Sequence, residues 1–497
     1  MGLVVARRVI VPGACKRSQP ALAGRLWRAL AAVLLVLLAL IVAKSPEAAA
    51  ETMESALARA YANNPQLNAQ RAIVRQNDEG VSQALSGYRP TLSANASVAR
   101  EYTNITETFP PFPGGPGPFA NGFSFSVKGY TNPWTAGFTG QQTLFNGQRT
   151  ANQVRKAESQ VSAARETLRM MEESVLLAAA TVYMDMSRDT ANLEVQQTNI
   201  HVLQRTLRDT QNRYAAGQVT STDVAQAEAQ LAAGEATLHA AESTLMTTRA
   251  NYRRIIGVEA ANLGPATPVD RLAPNNLNAA IAVGTAENPS VLAALYGVDV
   301  AQLQVKIAEG ALLPTLALQG SIQQQSYSNI LTPNLFVGAA TLNLSVPLYQ
   351  GGAEYSAIRL DKESVGEQRL NVDQVRDQTR ANVVQAWGQL QAAKAEVEAA
   401  MRQNEASERA LNGVRNEAQA GQRTTLDVLN AEQALVNARV SLIVAQHDRV
   451  VASYSLLSAV GRLSAQELRL PVSIYDPRVH YQQIRDAWFG LRTPNGR

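Results

Sequence analysis

The chain has 497 residues, with 45 Lys and Arg against 41 Asp and Glu, four histidines, and one cysteine, Cys15. One cysteine excludes an intrachain disulfide and a thiolate metal cluster. His201, His239, His447 and His480 lack metal-ligand spacing, and no H-E-x-x-H, phosphate-binding loop or nucleophile elbow occurs, so enzyme classes are not expected.

The first 50 residues account for the formal charge of +4. They hold seven basic residues and one acidic residue, which leaves 38 basic and 40 acidic residues beyond them. The basic balance therefore gives no support to nucleic-acid binding. Arg7, Arg8, Lys16, Arg17, Arg25 and Arg28 precede an apolar run, Ala29–Ala43, and Ala48-Ala49-Ala50 follows as a small-residue cleavage site. That order predicts a cleavable signal peptide over 1–50. The run is shorter than the ~20 residues a spanning helix needs. No cysteine follows it to accept a lipid, and no later long apolar run is read, so membrane contact is expected through β-strands.

Residues 52–87 read as helix, with Ala56, Leu57, Ala60 and Tyr61 on one stripe and an interruption at Asn64-Pro65. Leu92, Ala94, Ala96 and Val98 then alternate with polar residues as a strand. Residues 102–133, rich in Pro and Gly, read as a loop. Trp134 to Leu144 alternate as a second strand. Helix is expected from Gln148 to Arg213, about 100 Å at ~1.5 Å per residue. Gly217 breaks it, and Ser221-Thr222-Asp223 restarts helix with N-cap chemistry, running to about Ile256.

The second half repeats the plan. A helix is expected over 279–312, then a strand through Leu316–Ile322 and a short loop with Tyr327, Pro333 and Phe336. A strand over 341–348 follows, then helix over 353–416 interrupted at Gly366, Gly388 and Gly413, a turn at Gly421, and helix over 424–460. The motifs themselves recur. Asn64-Pro65 returns as Asn288-Pro289 and Pro90-Thr91-Leu92 as Pro314-Thr315-Leu316, 224 positions on. Leu144-Phe145 returns as Leu348-Tyr349, Gly217-Gln218 as Gly421-Gln422, and Asp223-Val224 as Asp427-Val428, 204 positions on. About 20 extra residues thus lie between Leu92 and Leu144. Solenoid periods run at roughly 20–50 residues, so this is a duplicated half-protein. The expected divisions are a first repeat 51–258, a linker 259–278, a second repeat 279–462 and a C-terminal segment 463–497.

The two shorter helical stretches of the first repeat sum to about the length of the long one, so each repeat can build a wall of two rods ~100 Å tall. Four strands cannot close a membrane barrel, for which about eight is the minimum. The fold class expected is an α+β membrane protein. Several protomers share one transmembrane β-barrel, four strands each, continued by a long helical barrel.

The doubled Asn-Pro, Pro-Thr-Leu, Leu-[Phe/Tyr]-x-Gly and Gly-x5-Asp-Val elements over 52–462 resemble the TolC family of outer-membrane channel-tunnels. The resemblance implies a homotrimer with twelve strands in the outer membrane and twelve helices in the periplasm. Residues 259–278 and the C-terminal segment would form a belt around the tube. It implies a passive conduit without cofactor, energised by an inner-membrane transporter and met by a periplasmic adaptor at the turns Gly217-Gln218 and Gly421-Gln422. Arg423 matches a gating arginine whose partner is Asp223, preceded by Thr222, and Asp427 matches an entrance-lining carboxylate. Two positions depart from the family pattern: Asn430 stands where a second acid is usual, and Ala418 replaces a gating tyrosine, for which Tyr214 is a candidate substitute. An exported coiled-coil stalk or adhesin is the competing reading. It accounts for the helices and not for four amphipathic strands.

Overall fold

Helix α1 (Met53–Asn63) ends at an extended Asn64, and α2 (Pro65–Leu85) begins at the proline. Proline suits the first helical turn, where its missing N–H costs nothing. The computed structural model describes residues 51–326, 334–494 and 496, and every element named here lies in the unit 52–497. The expected leader, Tyr327 and Pro333 lie outside the described residues. Strands β1 (Thr91–Val98), β2 (Glu101–Phe109), β3 (Phe123–Thr131) and β4 (Trp134–Asn146) follow, then helices α3 (Arg149–Ala215) and α4 (Ser221–Ile256). The order then recurs: α5 (Leu277–Glu287), α6 (Pro289–Gly310), β5 (Thr315–Ser326), β6 (Asn334–Ser345), α7 (Ala353–Gln419) and α8 (Thr425–Val460). A short helix α9 (Pro477–Ile484) closes the chain.

Four expectations are corrected. Residues 102–133 are not one loop: β2 and β3 form a separate hairpin in register from Glu101–Thr131 to Phe109–Phe123. The prolines and glycines crowd its tip, while Tyr102, Ile105, Val127 and Tyr130 make its arms, with Phe109 stacked 4.9 Å from Phe123. The helix expected over 279–312 is two helices, because Asn288-Pro289 does what Asn64-Pro65 does. Gly366, Gly388 and Gly413 do not interrupt α7, since the cost of a helical glycine, about 1 kcal/mol each, is small against a packed 67-residue helix. The last strand runs over Asn334–Ser345 and not 341–348, so Phe336 lies in the strand and not in the loop before it. In addition, Leu277–Gly310 is apolar and long enough to cross a membrane by length and composition. It is cut at Asn288.

Each Asn-Pro break is a joint between helices. Asn64 Oδ1 accepts from Gln66 N and Leu67 N at 2.9 and 3.3 Å, and its Nδ2 donates to Ile255 O, at the end of α4, at 3.4 Å. Asn288 Oδ1 accepts from Ser290 N at 2.9 Å, and its Nδ2 donates to Ala459 O, at the end of α8, at 3.0 Å. Thus α1 and α2 meet the end of α4, and α5 and α6 meet the end of α8. Helices of 11, 21 and 36 residues stand beside α3 with its 67, and helices of 11, 22 and 36 beside α7 with its 67.

The largest core lies at the first joint, around Leu57, Tyr61, Leu176, Tyr183, Tyr252 and Ile256, and a smaller one lies at the second, around Ala280, Val383, Leu456 and Val460. The linker between the repeats is pinned across the larger. Tyr183 Oη donates to Gly264 O at 2.7 Å, Ser453 Oγ accepts from Val269 N at 3.1 Å, and Asp270 is held by Arg449 and Lys394 at 3.1 and 3.2 Å. The C-terminal segment is tied at the same height by Ala465 N to Glu172 at 2.7 Å and Tyr475 N to Tyr61 Oη at 3.1 Å.

The other four strands form one antiparallel sheet in the order β1-β4-β5-β6. Its register gives one mainly apolar and one mainly polar face, with Leu335 and Val337 on the polar side and Gln142 and Gln324 on the apolar side. Leu92, Phe138, Leu318, Ile322, Leu342 and Leu344 share a face, and all are exposed. Ser93, Asn95, Thr139, Gln319, Ser321 and Thr341 share the other. Strands pass into helices through a close backbone crossing: Gly147 is left-handed at φ +65°, and a Cβ on Gly310 would stand 2.6 Å from its carbonyl oxygen and 2.7 Å from Arg149 Cγ. Backbone cannot move aside as a side-chain tip can. Gly310→Ala is expected to destabilise the protein by about 1–3 kcal/mol, read as a lower thermal midpoint of the purified protein by circular dichroism. An unchanged midpoint would show that the crossing is slack.

Candidate functional site

At the end of the helices remote from the strands, two turns repeat one design. The chain leaves α3 through Gly217 at φ +71° and leaves α7 through Gly421 at φ +78°. Gln218 N returns to Arg213 O and Gln422 N to Glu417 O, both at 2.9 Å. These bonds close the helix ends in the pattern that a left-handed glycine permits. Two residues on, the next helix is capped by a reciprocal pair. Thr220 N and Oγ1 donate to Asp223 Oδ2 at 2.9 and 2.7 Å, and Asp223 N donates back to Thr220 Oγ1 at 3.4 Å. Thr424 and Asp427 repeat this at 2.9, 2.8 and 3.2 Å. The caps are therefore Thr220 and Thr424, with the aspartates three residues in, a capping box. The Thr-x-x-Asp spacing, present in both copies, was the signal that locates them. The backbone and hydroxyl of Thr220 hold the Asp223 carboxyl below its usual range, and those of Thr424 do the same for Asp427.

Arg423 lies between the second glycine turn and its cap. Its Nε donates to Glu417 Oε2 at 2.9 Å, with both side chains about half exposed. Within one protomer, then, Arg423 pairs with Glu417 and Asp223 with Thr220, and the two are not joined. Thr222 and Asn430 are exposed, Asp427 is half-buried, and Tyr214 is exposed at the end of α3. Ala418 contributes its carbonyl to Gly421 N at 3.1 Å. The hairpins α3–α4 and α7–α8 touch behind the tips through Leu203, Ala227 and Leu429. Gln230 donates to Gln433 at 2.9 Å, and Arg415 bonds the buried Glu432 at 2.9 Å. Glu417 carries no sequence signal; only the fold shows it facing Arg423. The tip is thus a pair of rigidly capped turns bearing the exposed Arg423 and the carboxylates of Asp223, Asp427 and Glu417, chemistry suited to exchangeable ion pairing.

A second titratable cluster joins α3 to α8. His447, buried, meets Asp185 through Nε2 at 2.9 Å and Asp448 through Nδ1 at 2.8 Å. Arg188 bridges Asp185 and Asp189 at 3.0 and 2.8 Å, and Thr248 donates to Asp189 at 2.7 Å. Burial opposes charge on His447, but the bonds to Asp185 and Asp448 outweigh it and raise its pKa. His480 is likewise buried, 3.0 Å from Asp78, whereas His201 and His239 are exposed.

The sequence profile described as outer membrane efflux protein matches residues 56–258 and 284–462. The outer membrane efflux protein BepC of Brucella suis biovar 1 (strain 1330) is 38% identical over 465 residues, 93% of this chain and 96% of that one. Among solved structures, the CmeC outer membrane channel of Campylobacter jejuni superposes with a TM-score of 0.71 at 16% identity, covering 87% of this chain and 89% of that one. The outer membrane protein VceC of Vibrio cholerae does so with a TM-score of 0.67 at 20% identity, covering 82% and 96%. These likenesses establish a shared fold.

His447 gives a signed pH dependence. A raised folded pKa means that folding binds protons, so this stabilisation is fully present below the ordinary histidine value of about 6.5 and is lost as pH rises through the raised value. Wild type is expected to lose thermal stability across that window, and His447→Gln to show a flatter profile. Parallel profiles would remove His447 from the α3–α8 seam.

Proposed function

Because the chain belongs to the outer membrane efflux protein family, we propose that it is the outer-membrane exit duct of a tripartite efflux pump or type I secretion system. One observation carries this reading. The sheet has an exposed apolar face, a polar face and two unpaired edges, β1 and β6, at one end of helices of about 100 Å. Lipid satisfies the apolar face, and water in a lumen satisfies the polar one. The edges are satisfied by neighbouring copies, because an open edge is not tolerated in a bilayer. Three protomers give twelve strands. The four rods of each protomer, α3, α7 and the two jointed stacks, give twelve helical rods in the periplasm. In this reading, residues 1–50 are a leader removed on export. Residues 259–278 and 463–497, pinned over the joints, form the belt.

The conduit is passive. Energy and cargo choice reside in an inner-membrane transporter, and a periplasmic adaptor engages the turns Gly217-Gln218 and Gly421-Gln422. In the closed entrance, Arg423 leaves Glu417 and takes Asp223 of a neighbouring coil, with Thr222 and Tyr214 alongside. Asp427 lines the opening as a ring of three carboxylates favouring cations. With Asn430 in place of a second acid, that ring holds less negative charge than the family pattern provides.

Reconstitution of the exported chain in a planar bilayer tests the reading, with its mass in detergent measured alongside. A trimer-sized species with discrete conductance supports it, and a non-conducting soluble species overturns it. Arg423→Ser and Asp223→Ala are each expected to raise single-channel conductance; no change in either would remove the gate. Asp427→Ala is expected to lower the cation-to-anion permeability ratio and relieve block by multivalent cations. Unaltered selectivity would take Asp427 out of the entrance.

A further inference from the structure

The C-terminal end is strapped to the outer part of α2. His480 pairs with the buried Asp78 at 3.0 Å, and Tyr481 packs against Val81, Ala157 and Val161. Beyond α9, Arg89 Nη1 donates to Ala487 O at 2.6 Å, and its guanidinium lies 5.0 Å from the centre of the Trp488 ring. Arg89 is two residues from the start of β1. The neighbouring Tyr88 O accepts from Gln142 Nε2 at 2.9 Å, and Gln142 pairs with Leu318, which pairs with Leu342. The segment is therefore fastened level with the helix-side rungs of the apolar sheet face. At that level Trp488, Phe489 and Leu491 are 63, 93 and 103% exposed. A segment tied down by polar bonds yet presenting three large apolar side chains outward is matched to something that covers them.

We propose that Trp488–Leu491 is an interfacial anchor that seats in the headgroup region of the periplasmic leaflet, with phospholipid as its partner. This rests on the membrane-barrel reading. Three observations favour lipid over a protein partner. The patch continues the apolar sheet face at the same height, so a bilayer that reaches Leu318 and Leu342 reaches it as well. Its leading residue is an indole paired with a guanidinium, and an amphipathic ring belongs at the boundary between headgroups and acyl chains. Tyr88 and Tyr349, at two other strand–helix junctions, are 53 and 77% exposed, completing an aromatic level around the sheet's lower rim. Arg492, next along the chain, suits anionic headgroups.

Tryptophan quenching tests the assignment. The chain has four tryptophans. Trp27 lies in the leader, so Trp134→Phe with Trp387→Phe leaves Trp488 as the sole emitter of the full exported protein. The protein is reconstituted in phosphatidylethanolamine–phosphatidylglycerol vesicles doped with phosphatidylcholine brominated either near the headgroup or deep in the acyl chain. The expected result is loss of Trp488 emission, larger with shallow than with deep bromines, and protection from aqueous iodide. A companion that keeps only Trp134, on β4, reports on the barrel. If Trp134 is quenched by brominated lipid while Trp488 answers only to iodide, the anchor is wrong and the barrel stands. If Trp488 answers to neither quencher while Trp134 is quenched by lipid, a protein surface covers the patch and the anchor is again overturned. If neither tryptophan meets lipid, the barrel reading fails and takes the anchor with it.

Discussion

One asparagine in each half lets short helices act as a long one. Asn64 and Asn288 each spend the side-chain oxygen capping the helix that follows and the side-chain nitrogen on the carbonyl that ends another helix, Ile255 or Ala459. Without that bridge, three helix ends would meet at each joint with unpaired polar groups beside a core, where each buried and unsatisfied group costs about 1–3 kcal/mol. With it, a jointed stack matches its continuous neighbour in length, and the wall is even from the sheet to the tips. The core gathers at the joint because that is where large residues such as Tyr183 and Tyr252 have something to fill. Farther along, alanine-rich faces let the rods approach closely and leave smaller clusters.

The sheet imposes the complementary constraint. Its apolar face and its two free edges cannot be settled by anything else in the same chain, and the outermost rods, α7 and the stack of α1, α2 and α4, each pack chiefly against one neighbouring rod. The protomer is thus open at its sheet and along its two outer rods, as a subunit of the proposed shared barrel would be. The hairpin of β2 and β3, without a counterpart among the described residues of the second half, stands apart from the four-stranded sheet.

Much of this was legible in the sequence because it depends on period and repetition. Four strands with one apolar face, the long helix of the first repeat and the glycine turns all follow from local pattern, and the constant offsets join them into one plan, although the three glycines of α7 read as interruptions the packed helix does not show. What was not legible depends on arrangement in space. The arms of the β2–β3 hairpin alternate only weakly, and the prolines at the tip mask them. The break at Asn288 was visible as a repeated motif, yet the apolar stretch around it read as one helix, since periodicity does not register a capping bond to a carbonyl 171 residues away. At the tips, the glycines and aspartates were found by position. Glu417, the residue that holds Arg423 within the protomer, was not, because a partner six residues away across a turn leaves no periodic trace. The carboxylates around His447 belong to two different helices and were equally invisible.

The capping boxes bear on how such a tip can be both rigid and switchable. In each box a single carboxylate oxygen, Oδ2, takes both cap bonds, from the threonine backbone and from its hydroxyl. The second oxygen of Asp223 is not used by the cap. A guanidinium arriving from another coil can therefore bond Asp223 without uncapping α4, and leaving costs the helix nothing. In Asp427, too, the cap uses Oδ2 alone. In the proposed gate, Arg423 has Glu417 to return to, so neither state would strand a charge. An exchange of that kind would move ion pairs between exposed partners and leave helix ends, joints and core as they are.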